Sequence, residues 1–150
     1  MLRFTDEQIV FQEVPGEVSL AFTIAGCPLG CKGCHSSYSW RPEQGTQLSA
    51  DYFQYRLASY AGLISCVLFL GGEWQQSSLL QMLVIARNAG LNTCLYTGLD
   101  DVTNALKQQL TYLKTGRWQS ERGGLNNPNT NQVFTDLRTG QSLNHLFLGQ

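Results

Sequence analysis

"ISCVLFLGG", residues 64–72, decides how the rest of this chain is read. Its centre is an unbroken apolar run, and it stops at Gly71-Gly72. A short run with no polar alternation, closed by glycines, is the pattern of a strand covered on both faces, as in a parallel sheet. The same form recurs on either side. "EVSLAFTIAG" (17–26) is β-rich and ends in glycine, "LNTCLYTG" (91–98) is a further strand, and "TYLKTG" (111–116) another. Between them lie helical patterns. "LSADYFQYRLASYAG" (48–62) has Ser49 as an N-cap and apolar groups at helical spacing, Tyr52, Phe53, Leu57 and Tyr60. "QSSLLQMLVIARNAG" (76–90) closes on Gly90 as a C-terminal cap. "DDVTNALKQQ" (100–109) is expected to be a helix with Asp100 and Asp101 at its positive end.

Strand and helix alternate, which predicts a parallel sheet with right-handed crossovers. Ligands in such sheets gather beyond the carboxyl ends of the strands. A complete eight-unit barrel needs about 250 residues, and this chain has 150. The expected fold is therefore α/β, a single domain over 1–150 forming a partial, open (β/α) barrel with a mostly parallel sheet. The core is expected over about 17–134. The tail, 117–150, reads as loop-rich, with short strands at Gln132–Thr135 and near Leu146–Leu148.

Composition narrows the function. Ten basic and eleven acidic side chains give a net charge of −1. No basic run is present to track a phosphate backbone, so nucleic acid is not an expected partner. "MLRFTDEQIVFQEV" mixes charges with apolar residues and does not read as a secretory leader. No apolar stretch approaches the ~20 residues that span a bilayer. A cytoplasmic, reducing setting is expected, in which the five cysteines stay free thiols. No Ser-His-acid triad is expected from two histidines, and no phosphate-binding glycine loop appears.

Three of the cysteines fall in "AGCPLGCKGCHSSYSW" (25–40), as Cys27, Cys31 and Cys34, spaced C-x3-C-x2-C. Reduced thiolates are soft ligands for zinc or for iron–sulfur clusters. Structural zinc wants four closed ligands, and the only nearby fourth is His35, which adjoins Cys34. Most iron–sulfur clusters take four cysteines. Three on a four-iron cube leave one iron open to chemistry, and this is the better fit. Gly26, Gly30 and Gly33 let the backbone curl tightly and aim N–H groups at sulfide. Cys66 and Cys94 lie inside apolar strands and read as small buried hydrophobes.

The C-x3-C-x2-C loop after the first of these strands, with "GGE" after a later one, resembles the radical S-adenosylmethionine superfamily. "GCPLGCKGCHSSYSW", "LGGEW", "LYTG" and the tail "GRWQSERGGLNNPNTNQVF" resemble, in order and spacing, the activating proteins of anaerobic ribonucleoside-triphosphate reductase. The likeness covers roughly residues 17 to 134. It implies a [4Fe-4S] cluster on Cys27, Cys31 and Cys34, with S-adenosylmethionine bound at the open iron. It further implies one-electron cleavage of the sulfonium and abstraction of hydrogen from a glycine of the large reductase subunit. A flavodoxin- or ferredoxin-type donor would supply the electron.

The resemblance also implies roles for matching residues. Gly71, Gly72 and Glu73 would contact the amino group of S-adenosylmethionine, with Glu73 otherwise an exposed loop carboxylate. Tyr96, Thr97 and Gly98 would either touch the adenosyl or methionine part or simply pack the strand end. Lys114 and Arg117 are candidate cations for the carboxylate. The chain departs from the superfamily at Gly33, where an aromatic residue is common, so His35 or another side chain would support adenine. It departs again at Trp74, where relatives often have proline. Trp40, Trp74 and Trp118 are either contacts for a protein substrate or ordinary packing. The competing readings are an activase of another glycyl-radical enzyme, a radical enzyme acting on a small molecule, and a non-catalytic electron-transfer or zinc-binding module.

Overall fold

Every strand read from the apolar runs is present in the computed structural model, which describes residues 1–26 and 45–148. In chain order the elements are β1 (Arg3–Val10), β2 (Ser19–Ile24), β3 (Thr46–Gln47), α1 (Ala50–Ser59), β4 (Cys66–Leu70) and α2 (Gln76–Asn88). There follow β5 (Asn92–Tyr96), α3 (Asn104–Lys107), β6 (Tyr112–Thr115), β7 (Val133–Asp136) and β8 (Gln141–Ser142). Single 3-10 turns cover Glu73–Gln75 and Asn144–Phe147. The loop bearing Cys27, Cys31, Cys34, His35 and Trp40 lies outside the described residues.

The strands form one eight-stranded sheet in the order β3-β1-β2-β4-β5-β6-β7-β8. Its centre, β2-β4-β5-β6, is parallel, and α1, α2 and α3 make the crossovers. The flanking strands β1, β3, β7 and β8 pair antiparallel. The order is linear and does not close on itself, so the barrel is open.

Alternation along the central strands divides the apolar residues between two cores. Leu20, Phe22, Ile24, Val67, Phe69, Leu95 and Leu113 face the helices. There they meet Phe53 and Leu57 of α1 and the stripe Leu79, Met82, Leu83 and Ala86 of α2. Ala21, Cys66, Leu68, Cys94 and Tyr112 face the other way, against Val10, Val14, Leu125, Phe134 and Phe147. This second face is closed by the segment after β1. The Tyr112 hydroxyl donates to Glu17 Oε2 (2.7 Å), and Asn92 Nδ2 donates to the same oxygen (2.8 Å).

Ser49 caps α1 as expected, its hydroxyl accepting from the Tyr52 N–H at 3.1 Å. Ser49→Ala is expected to destabilise the fold by about 1 kcal/mol, read as a lower denaturant midpoint. Tyr52 lies at the flank of the helical stripe, stacked on Phe4 at 5.7 Å with its hydroxyl on Glu7.

Three expectations need correction. β1 was not expected. Its register against β2 shifts between Phe4 and Asp6, and that irregularity breaks the alternation by which a strand is recognised. The third helix does not begin at the two aspartates. Thr103 caps it, and only Asn104–Lys107 is helical. Asp101 instead accepts from the Val102 N–H (2.9 Å) and pairs with Lys107 (2.7 Å). The strand expected near residues 146–148 is a 3-10 turn, and β8 lies just before it. Among the described residues, no helix is long and apolar enough to cross a membrane.

Candidate functional site

The loops after β4, β5 and β6 meet at the carboxyl edge of the sheet. Backbone bonds carry the sheet pairing past the strand ends. Gly71 N–H donates to Tyr96 O (2.9 Å), Thr97 N–H to Lys114 O (2.9 Å) and Gly116 N–H to Leu99 O (2.8 Å). Gly26, which leads from β2 into the cysteine loop, lies at the same edge, since β2 is parallel to β4.

The glycine pair has a steric reason. Gly71 and Gly72 have φ of 93° and 112°, a region costly for any residue with a Cβ. A Cβ on Gly71 would lie 2.5 Å from the end of the Trp74 indole. Trp74 therefore folds back over Gly71 and packs on the helix-side core. This is packing rather than an exposed docking contact, one of the two readings left open for it.

Glu73 starts the 3-10 turn immediately after Gly72. It is not an exposed carboxylate. The Thr97 hydroxyl donates to its Oε1, while Oε2 is buried with no hydrogen-bond partner. Burial pushes the Glu73 carboxyl above the ordinary carboxylate range. The Thr97 bond, the N–H groups of Glu73 and Gly72 and the Lys114 charge pull the other way without cancelling it. A buried charged oxygen without a donor is costly, and such a group calls for a cationic or N–H partner.

Lys114 is buried. Its ammonium donates to the carbonyls of Gly116 (2.8 Å) and Thr97 (3.2 Å) and lies 5.8 Å from the centre of the Tyr96 ring. Tyr96 points to the face away from the helices, where its hydroxyl donates to Glu13 O (2.5 Å) and its ring meets Phe134 edge-on. Gly98 continues the Thr97 turn and is half-buried. Arg117 is exposed, and its carbonyl accepts from Asn131 Nδ2 (3.1 Å). Trp118 packs beside Gly124.

Of the sequence candidates, the structure brings together Gly71, Gly72, Glu73, Thr97 and Lys114. It directs the Tyr96 side chain elsewhere. Two residues at this edge were not anticipated. Asn131 holds Arg117 by its amide, and its Oδ1 is buried without a partner. Gln132 reaches Gly116 O at 3.5 Å. Their only signal was membership of the polar tail stretch.

Cys66 and Cys94 are fully buried in the second core. Burial pushes the Cys66 thiol up to about 12 and raises the Cys94 thiol well above its ordinary value. A metal ligand must be a thiolate, so these two are poor ligands. Among the described residues, no group of three His, Cys, Asp or Glu side chains is arranged to hold a metal.

Residues 14–117 match the family model described as a 4Fe-4S single cluster domain. The chain belongs to that family. The matched span runs from the segment before β2 to the end of the β6 turn, so it contains all five cysteines and the glycine-glycine-acid turn. In structure the chain is similar to QueE from Escherichia coli, with a TM-score of 0.57 at 13% identity. That similarity covers 85% of this chain and 62% of the QueE chain, and it concerns the fold. No curated protein sequence matches the chain. The family match gives the chain a single 4Fe-4S cluster domain, and the likeness to QueE is one of fold.

The residues fit such a cluster. Both core cysteines are occupied in packing, and the three remaining cysteines follow β2 in the sequence. The carboxyl edge of the sheet carries a buried carboxylate oxygen in need of a donor.

Proposed function

We propose that this chain is a radical S-adenosylmethionine activase that generates a glycyl radical on anaerobic ribonucleoside-triphosphate reductase. The observation that carries the reading is the partnerless Glu73 Oε2, buried beside the glycine turn at the edge where the cysteine loop departs. An amino N–H group is the donor that this oxygen lacks. Cys27, Cys31 and Cys34 are the proposed cluster ligands. When bound, the cluster supplies one electron and an open iron for the amino and carboxylate groups of S-adenosylmethionine.

The chain's own residues position the ligand. Gly71 and Gly72 let the end of β4 approach it closely, Glu73 accepts from its amino N–H, and the Thr97 hydroxyl holds the Glu73 carboxylate. Lys114 braces the turns after β5 and β6. The electron would come from a flavodoxin- or ferredoxin-type donor. The reductase reading rests on the resemblance of the tail "RGGLNNPNTNQ", a stretch that folds on itself next to Gly116. Arg122 Nε donates to Asn129 O (2.9 Å), Thr130 Oγ1 to Gly123 O (2.9 Å), and Gln132 anchors the stretch to Gly116.

The test is anaerobic reconstitution with iron and sulfide, followed by reductant and S-adenosylmethionine. Methionine and 5′-deoxyadenosine are expected, and adding the large reductase subunit is expected to yield a protein-bound glycyl radical by electron paramagnetic resonance. Cleavage without a radical on the reductase would overturn the partner assignment. A colourless protein with stoichiometric zinc would overturn the enzyme.

Glu73 also gives the reading a pH signature. Its carboxyl titrates above the ordinary range, so the bound proton stabilises the fold fully at acidic pH. That contribution is lost as the pH rises through the raised value. Glu73→Gln holds no such proton. The variant is expected to gain in denaturation midpoint relative to wild type between acidic and neutral pH, while its KM for S-adenosylmethionine rises. A midpoint difference that does not change with pH would remove the buried-charge argument.

A further inference from the structure

Beyond Lys114 the carboxyl edge of the sheet carries exposed apolar side chains, and three chain segments bring them together. The Leu99 carbonyl accepts from the Gly116 N–H (2.8 Å), which ties the turn after β5 to the end of β6. Val133 opens β7 opposite Thr115, the last residue of β6. The turn after β8 is pinned beside them by Asn144. Its amide accepts from the Phe134 N–H (2.8 Å) and donates to Gln132 O (2.8 Å). Phe147 in that turn enters the second core, while Leu146 and Leu148 on either side of it are exposed. Leu99, Val133, Leu146 and Leu148 are each between 40% and 46% exposed.

Apolar residues exposed singly need no explanation, whereas several gathered at one edge mark a binding surface. This edge also has a polar margin. The segment 117–132 exposes Asn126 and Asn129 and is held in shape by its own bonds, among them Asn129 N–H to Asn127 Oδ1 (2.9 Å). An apolar centre with a polar rim is the make-up of a protein–protein interface. Carboxamides donate and accept, so they match the main-chain amides of a protein. An anionic lipid or nucleic acid calls for a denser basic run than Arg117 and Arg122 with Glu121 between them.

We propose that the β6–β7–β8 end of the carboxyl edge, centred on Val133, Leu146 and Leu148, is the docking surface for the protein that carries the target glycine; this rests on the function proposed above. The surface is continuous with the turns after β5 and β6, so a partner seated on it can hold one of its own loops over the site. A stable protein contact covers about 800 Å² per partner, so it must extend past the turns that form the site.

The test separates docking from chemistry. Leu146→Asp and Leu148→Asp place a charge in the apolar centre. Each is expected to raise KM for the large reductase subunit about thirtyfold in glycyl-radical formation, read by electron paramagnetic resonance. Formation of 5′-deoxyadenosine without the reductase is expected to stay at the wild-type level, because neither residue belongs to the turns that form the site. Sedimentation velocity on the same pairs reads affinity apart from chemistry and is expected to show the same loss. Phe11→Asp and Leu63→Asp are the controls. Both residues are exposed at the opposite, amino edge, and neither variant is expected to change either readout. Leu146→Ser and Leu148→Ser carry the test if an aspartate variant fails to fold. Wild-type KM and affinity in both aspartate variants, or an equal loss in the controls, overturns the surface alone. A wild type that cleaves S-adenosylmethionine, yet neither binds the reductase nor puts a radical on it, overturns the surface and the partner assignment together.

Discussion

Cys31→Ala is expected to reduce 5′-deoxyadenosine formation to the uncatalysed background and to lower the iron content of the reconstituted protein. A cluster on three thiolates has no spare ligand, and the remaining cysteines offer no substitute. Cys66 and Cys94 are fully buried in the core facing away from the helices, with burial holding both as thiols. A thiol must lose its proton to bind metal, and these two sites resist that loss. Cys66→Ala and Cys94→Ala are therefore expected to keep iron content and 5′-deoxyadenosine yield near those of the wild type. Equal yields from wild type and Cys31→Ala would end the cluster assignment. Loss of iron in Cys66→Ala, at full folding, would move the ligand set into the core.

Phe69→Ala is expected to cost about 3–5 kcal/mol of stability. Phe69 is fully buried on β4, the central strand, and its ring meets Phe22 at 6.0 Å and Phe53 at 5.8 Å. Phe22 and Phe53 are themselves 5.6 Å apart, so the three rings join β2, β4 and α1 in one packed group. Removing one ring leaves a cavity that its neighbours can fill only by giving up their own contacts. A loss of that size is a large share of the roughly 5–15 kcal/mol that a domain has in total. Urea unfolding followed by far-ultraviolet circular dichroism checks it. Val84→Ala, at an exposed position on α2, is expected to change stability by no more than about 0.5 kcal/mol. Comparable losses from both would mean that the ring cluster is not where the stability resides.

The two positions illustrate how far local sequence reasoning reaches. Phe69 was legible because "CVLFL" is apolar throughout, and burial on both faces needs no knowledge of the neighbours. The stripe Leu79, Met82, Leu83 and Ala86 was legible for a similar reason, since its spacing follows one helix face. β1 was not, because the register shift near Phe4 disturbs the two-residue period that marks a strand. Asp100 and Asp101 suited a helix start by charge alone, yet Thr103 supplies the hydroxyl that caps the orphan N–H. Charge near a helix terminus is a weaker and less directional cue than a capping hydrogen bond.

From residue order alone came the alternation of strands and helices, the chemistry of three clustered thiols and the glycine pair before an acid. These are properties of near neighbours in the chain, and short-range sterics and periodicity express them directly. Tertiary structure decided what Glu73 is. Its partner Thr97 lies 24 residues away, and Lys114 a further 17. A hydrogen bond acts only over a few ångströms. Whether such distant residues fall within that reach depends on which strands lie side by side in the sheet, and no local pattern encodes that.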